Sequence, residues 1–195
     1  MKKLTAGWML SLAMGMHAAS AQQTAPAPAA ATPAVPAPEV ASAAPADVAS
    51  PQAIVQAVYS VISGPQGAPR DWPRLRSLMA PGGIFAVTGA SKTGPLRTRV
   101  IPIEDFISGS TKALAGEGFY EHGVMGTMWR YGHIATVSSP YESRHAPGEA
   151  PFQRGINSFQ LSYDGTRWWI VSISWEAETP AFPLPAKDDA LLKGK

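Results

Sequence analysis

The sequence predicts an α+β domain in which N-terminal helices pack on one face of a curved, mainly antiparallel sheet. Three observations predict it. Apolar residues recur at helical spacing from Ile54 to Ile62, the period changes from helical to alternating after Gly116, and Asp164-Gly165 joins two long alternating runs.

Taken in order, Ser50 is a helix N-cap with Pro51 at the first helical position, where its missing N–H costs nothing. Ile54, Ala57, Val58, Val61 and Ile62 then form one apolar stripe, and Gly64-Pro65 ends it. Asp71 caps a second, short helix carrying Leu75, Leu78 and Met79, which Pro81-Gly82-Gly83 terminates. A brief extended piece, Ile84 to Val87, and a loop lead to a third helix marked by Ile103, Phe106, Ile107 and Leu114, weakened by Gly109 and Ser110. Beyond Gly116 come four extended runs: Phe119 to Arg130, Tyr131 to Arg144, Gln153 to Tyr163 and Thr166 to Glu176. Asp-Gly between the last two is a hairpin signal, because a type I′ turn needs positive φ at both central positions.

The 195 residues also hold segments that are not expected to build a core. Lys2 and Lys3, an apolar run from Leu4 to Met16 and the small residues Ala19-Ser20-Ala21 have the pattern of a cleavable export signal, residues 1–21. The apolar run is shorter than the roughly 20 residues a membrane-spanning helix needs. The mature chain, starting at Gln22, is therefore expected in the periplasm or outside the cell, with no transmembrane segment. Residues 22–50 are almost all Ala, Pro, Ser, Thr and Val, too poor in bulky apolar groups to offset chain entropy, and read as a disordered linker. The domain is expected over 51–179, and 180–195 as a flexible tail contributing little to the core.

The formal charge of +2 counts Lys2 and Lys3, and without them 14 basic side chains face 14 acidic ones. A balanced surface carries no electrostatic footprint for nucleic acid. The chain has no cysteine, which excludes disulfides, thiolate metal sites and cysteine nucleophiles. His122, His133 and His145 are 11 and 12 residues apart and lack metal-ligand spacing, so no metal is expected. No dinucleotide or phosphate-binding glycine motif occurs, and no cofactor is expected.

The run RGINSFQLSYDGTRWWIVSISWE (Arg154 to Glu176), following YGHIATVSSPYESR (Tyr131 to Arg144), resembles the nuclear transport factor 2-like superfamily, in particular its SnoaL-like bacterial members. The resemblance covers roughly residues 51–179. It implies a cone in which a bent sheet wraps a long helix, a pocket between them, and frequently a dimer formed through the sheet. Its relatives include ketosteroid isomerase, scytalone dehydratase, polyketide cyclases and limonene epoxide hydrolase beside many non-catalytic binding domains, so it fixes fold rather than chemistry.

The candidate pocket residues are His133, Tyr141, Asn157, Phe159, Trp129 and Trp175. His133 and Tyr141 share a parity on one strand, and Asn157, the only asparagine, sits within a strand rather than a turn. Glu121, Glu142 and Glu176 are carboxylates on strands, with Tyr120, Tyr131 and Tyr141 as possible donors, but no fixed acid–base motif assembles them. Glu121 and His122 must face opposite sides of their strand. Glu142 and Arg144 read as a surface ion pair, and His145 as a solvated loop residue. Of the last strand, Trp169, Val171, Ile173 and Trp175 are assigned to the core, and Trp168 and Ile170 to an outward face covered by a homodimer partner. Three functions follow: binding of a small apolar ligand or a partner protein, a SnoaL-like lyase or isomerase, or a dimeric scaffold with a filled cone. Binding is preferred over catalysis.

Overall fold

A computed structural model describes residues 42–90 and 95–194; the export signal and residues 22–41 of the linker lie outside the described residues. A 3-10 turn, Pro45–Val48, is followed by α1 (Pro51–Ile62), α2 (Trp72–Leu78), β1 (Met79–Ala90), β2 (Leu96–Pro102), α3 (Ile103–Gly116), β3 (Tyr120–Gly123), β4 (Thr127–Tyr131), β5 (Ile134–Arg144), β6 (Gln153–Tyr163), β7 (Trp168–Ala177) and α4 (Ala186–Leu192). The strands form one sheet in the order β2-β1-β7-β6-β5-β3, and β4 pairs with another stretch of the same β5 edge that holds β3. Among the described residues only the β1–β7 pair is parallel.

Both predicted helix starts are present. The Ser50 side chain accepts from the Ala53 amide at 3.1 Å and Asp71 from the Arg74 amide at 2.9 Å. α1 buries Ile54, Val55, Ala57, Val58, Tyr59 and Val61. Against them stand Ala135 and Val137 of β5, Phe159 and Leu161 of β6, and Ile170 and Ile173 of β7. Each such side chain removed from water stabilises the fold by about 1.5–3 kcal/mol before entropy is counted.

Order begins earlier than the Pro51 boundary expected from sequence. Val48 is buried in the core, and Asp47 accepts two hydrogen bonds from the Arg74 guanidinium at 2.7 and 2.8 Å. One apolar anchor and one bidentate pair at the end of the alanine- and proline-rich stretch are enough to seat it. The tail is likewise built into the fold: Asp188 is buried, Glu178 accepts from the Leu184 amide at 2.9 Å, and Arg154 pairs with Glu178 and Asp189.

The expected Phe119–Arg130 strand is two strands. Residues 124–126 leave the ladder opposite Pro140, and the Val124 amide reaches the Pro140 carbonyl at 3.1 Å while Pro140 has no N–H to return. A Cβ on Gly126 would lie 2.8 Å from Pro140 Cδ, so only glycine passes there. The segment Leu96–Pro102, read as loop, is the edge strand β2; its exposed alternation of Arg97, Arg99, Leu96 and Val100 offers no buried face to announce it. Asp164-Gly165 belongs to a four-residue loop rather than a two-residue turn: Tyr163 pairs with Trp168, and the Asp164 carboxylate accepts from the Thr166 and Arg167 amides at 2.8 and 2.9 Å.

β7 carries the main correction. Leu161 pairs with Ile170 and Gln160 with Ser172, so Val171 is an extra residue, a β-bulge. The alternation therefore changes sides within the strand. Trp168 and Ile170 point inward before the bulge (3% and 0% exposed), and Ile173 and Trp175 point inward after it. Val171 is exposed and Trp169 only half-buried, its indole N–H donating to Asp164 and its ring under the Arg167 guanidinium at 3.7 Å. The assignment of Trp168 and Ile170 to an outward dimer face is thus overturned, and a homodimer through that face loses its support.

Candidate functional site

A cavity of about 320 Å³ opens between α1, α3 and the inner face of the sheet. Its walls are apolar: Phe85 stacks on Phe106 at 3.9 Å, Trp175 meets Phe106 edge-on, and Val58, Phe159 and Ile173 complete them. The polar groups among the lining include Tyr59, Glu121, Tyr141 and Asn157.

Strand register assembles these groups. β3 pairs Glu121 with Ser143, and β5 pairs Ser139 with Asn157 and Tyr141 with Gly155. Two glycines make room for the two tyrosine rings. A Cβ on Gly123 would lie 2.1 Å from the Tyr59 ζ carbon, and one on Gly155 would lie 2.8 Å from the Tyr141 hydroxyl.

Each proton of the network has a destination. Ser139 Oγ donates to the Val124 carbonyl at 2.7 Å, so in the 2.7 Å contact between Ser139 and Tyr59 it is the tyrosine hydroxyl that donates. Asn157 Nδ2 donates one hydrogen to the Tyr59 oxygen at 3.1 Å and the other to Glu121 Oε1 at 3.0 Å. Ser143 Oγ donates to Glu121 Oε2 at 2.9 Å. The Glu121 carboxyl is therefore an acceptor on both oxygens, yet burial pushes its pKa above the ordinary glutamate value, outweighing the two donors that favour the anion. Burial and the neighbouring Glu121 also hold the Tyr59 and Tyr141 hydroxyls in the protonated state. Among the described residues nothing hydrogen-bonds the Tyr141 hydroxyl, which leaves its proton for a guest in the cavity.

Four expected pocket residues, Tyr141, Asn157, Phe159 and Trp175, line the cavity, and two do not. His133 shares the parity of Tyr141 but lies in the turn before β5, exposed and stacked on Tyr163 at 6.0 Å. Trp129 is 59% exposed on β4, stacked on Tyr131. Glu142 and Arg144 pair at 2.5 Å on the alternate parity of β5 from Tyr141. His122 is exposed while Glu121 lines the cavity, as alternation requires.

Sequence reasoning missed Tyr59, Ser139 and Ser143 and left Glu121 without partners. A signal was available for the serines: Ser139, Tyr141 and Ser143 continue the parity of Ala135 and Val137, so small polar groups succeed apolar ones on one face. Tyr59 was hidden on the otherwise apolar buried face of α1.

No family model matches the sequence, and no curated protein does. Similar solved structures include a nuclear transport factor 2-like protein of unknown function from Silicibacter pomeroyi, 19% identical over 65% of this chain and 91% of that one, with a TM-score of 0.45. Another is a nuclear transport factor 2-like protein of unknown function from Methylobacillus flagellatus, 10% identical over 65% and 87%, TM-score 0.44. A third, from Parabacteroides distasonis, is provisionally named a ketosteroid isomerase: 11% identical over 67% and 89%, TM-score 0.46. These neighbours have the nuclear transport factor 2-like cone fold. At such identities the likeness is one of fold alone.

Proposed function

We propose that the domain is exported and that its cone holds a small, largely apolar molecule bearing one polar group. One observation carries the reading: an apolar cavity of about 320 Å³, at the small end of ligand sites, has in its lining the hydrogen-bonded pair Glu121 and Asn157 and the Tyr141 hydroxyl. A cone serving only as scaffold would be filled by its own side chains. The test is native mass spectrometry of the mature protein purified from its own envelope fraction. Added mass in the wild type, absent from Asn157→Ala, is the expected result; an empty wild-type protein overturns the reading. The same preparation tests export, since the mature chain should begin at Gln22.

A second reading, acid–base chemistry of the lyase or isomerase kind, is favoured by the raised Glu121 carboxyl in the same cavity as the Tyr141 hydroxyl. In this reading Glu121 is the proton acceptor and Tyr141 the donor to a developing oxyanion. Glu121→Gln separates the two readings: a binding protein keeps its function with the amide, whereas an enzyme retains bound substrate and stops converting it.

A further inference from the structure

The cavity carries charge of one sign. Of the residues that line it, Glu117 and Glu121 are acidic and none is lysine, arginine or histidine. Glu117 is largely exposed and has His145 at 3.5 Å. Glu121 is enclosed, and no basic side chain pairs with it among the described residues. Its partners are neutral donors, Asn157 Nδ2 and Ser143 Oγ. A carboxylate taken out of water without a counter-charge is costly, and buried charges are ordinarily paired.

The polar atoms left over beside it can accept. Asn157 spends both amide hydrogens, on Glu121 and on Tyr59, and nothing among the described residues donates to its Oδ1. The Tyr141 hydroxyl is likewise unpaired. No buried side-chain nitrogen or oxygen among the described residues lacks a partner, so these two oxygens open onto the space their residues line. Phe85, Phe106, Phe159 and Trp175 share that space, and the faces of aromatic rings attract cations.

We propose that the guest is a small primary amine held as its ammonium ion, with its apolar body against the aromatic wall and Glu121 as its counter-ion. This deepens the ligand-holding reading of the same cavity and rests on it. Other polar groups answer fewer of the atoms present. A carboxylate guest would meet Glu121 with no cation in the lining to offset the repulsion. A ketone only accepts, so it serves Tyr141 and leaves Asn157 Oδ1 and Glu121 unmet. An alcohol serves Tyr141 and Asn157 but brings no charge. An ammonium group brings the charge and a hydrogen for each of Glu121, Asn157 Oδ1 and the Tyr141 oxygen, which accepts as well as donates. The volume of about 320 Å³ suits a body of one ring or a short chain.

The experiment is isothermal titration calorimetry of the full mature chain at pH 7 with 2-phenylethylamine, a cation, 2-phenylethanol, its neutral counterpart, and 3-phenylpropanoate, an anion. The amine is expected to bind about ten-fold tighter than the alcohol, with the anion weakest. Glu121→Gln should bring amine and alcohol to equal affinity, its retained alcohol binding showing that the variant is folded. Glu104→Gln removes an equal charge from the surface, where Glu104 pairs with Arg76, and should keep the preference. A preference that survives Glu121→Gln, or a wild type that binds the alcohol as tightly as the amine, overturns the amine and leaves the cone a ligand site. Binding of none of the three compounds overturns the ligand-holding reading and the amine with it.

Discussion

Asn157 of β6 donates to Glu121 of β3 across the intervening strand β5, 3.0 Å between heavy atoms and 36 residues apart in the chain. That bond ties the carboxylate to Tyr59, because the other amide hydrogen of Asn157 goes to the tyrosine oxygen. Replacing Asn157 by Ala leaves a buried carboxylate and a buried phenol each short of one donor. A loss of about 2–3 kcal/mol in unfolding free energy is expected in urea titrations, with unchanged slope.

Glu121 makes the fold pH-dependent. Its pKa is raised in the folded state, so the contribution is fully present below the ordinary glutamate value and is lost as pH rises through the folded value. Thermal melts of the wild type should therefore show stability falling above about pH 4.5 from this group, and Glu121→Gln should flatten that limb and melt higher at pH 7. An unchanged slope in the variant would place the pH dependence elsewhere.

Gly123→Ala tests the packing beneath the site. The added methyl would overlap the Tyr59 ring, so the ring must leave the sheet and with it the Ser139 and Asn157 contacts. About 2–3 kcal/mol of destabilisation is expected, with loss of the added mass in native mass spectrometry. A variant as stable as the wild type would mean that Tyr59 has another seat.

Arg70 anchors the C-terminal end of α1. Its buried guanidinium donates to the carbonyls of Ile62, Gly64, Pro65 and Ala68 rather than to a carboxylate. Arg70→Met removes every donor and leaves carbonyls unpaired, at an expected cost of about 3 kcal/mol by chemical denaturation; Arg70→Lys, with one compact ammonium, should recover only part.

Helix caps, periodicity and the antiparallel core strands were legible because each rests on local chemistry: Ser50 and Asp71 bond amides three residues on, and β5 and β6 each keep one buried parity along their length. What was not legible depends on pairing at a distance. β2 has no buried face, the β3–β4 break is set by Pro140 on another strand, and α4 is held by Arg154 through Asp189. In the site, Asn157 was readable as an anomaly, whereas Tyr59 reaches it only through a helix 98 residues earlier in the chain. His133 failed because parity says which way a side chain points but not whether the strand has begun.

The bulge at Val171 gives β7 two phases of one pattern, joined at a single residue. Deleting that residue would lengthen no loop and break no turn, and it would merge the two phases into one unbroken alternation, with Trp168, Ile170, Ile173 and Trp175 on a single parity. Sequence comparisons that run through this strand without a gap will score such a relative as a poor match even where the three-dimensional environments agree. An insertion one residue long can thus hide kinship that the hydrophobic pattern, read in two halves, would reveal.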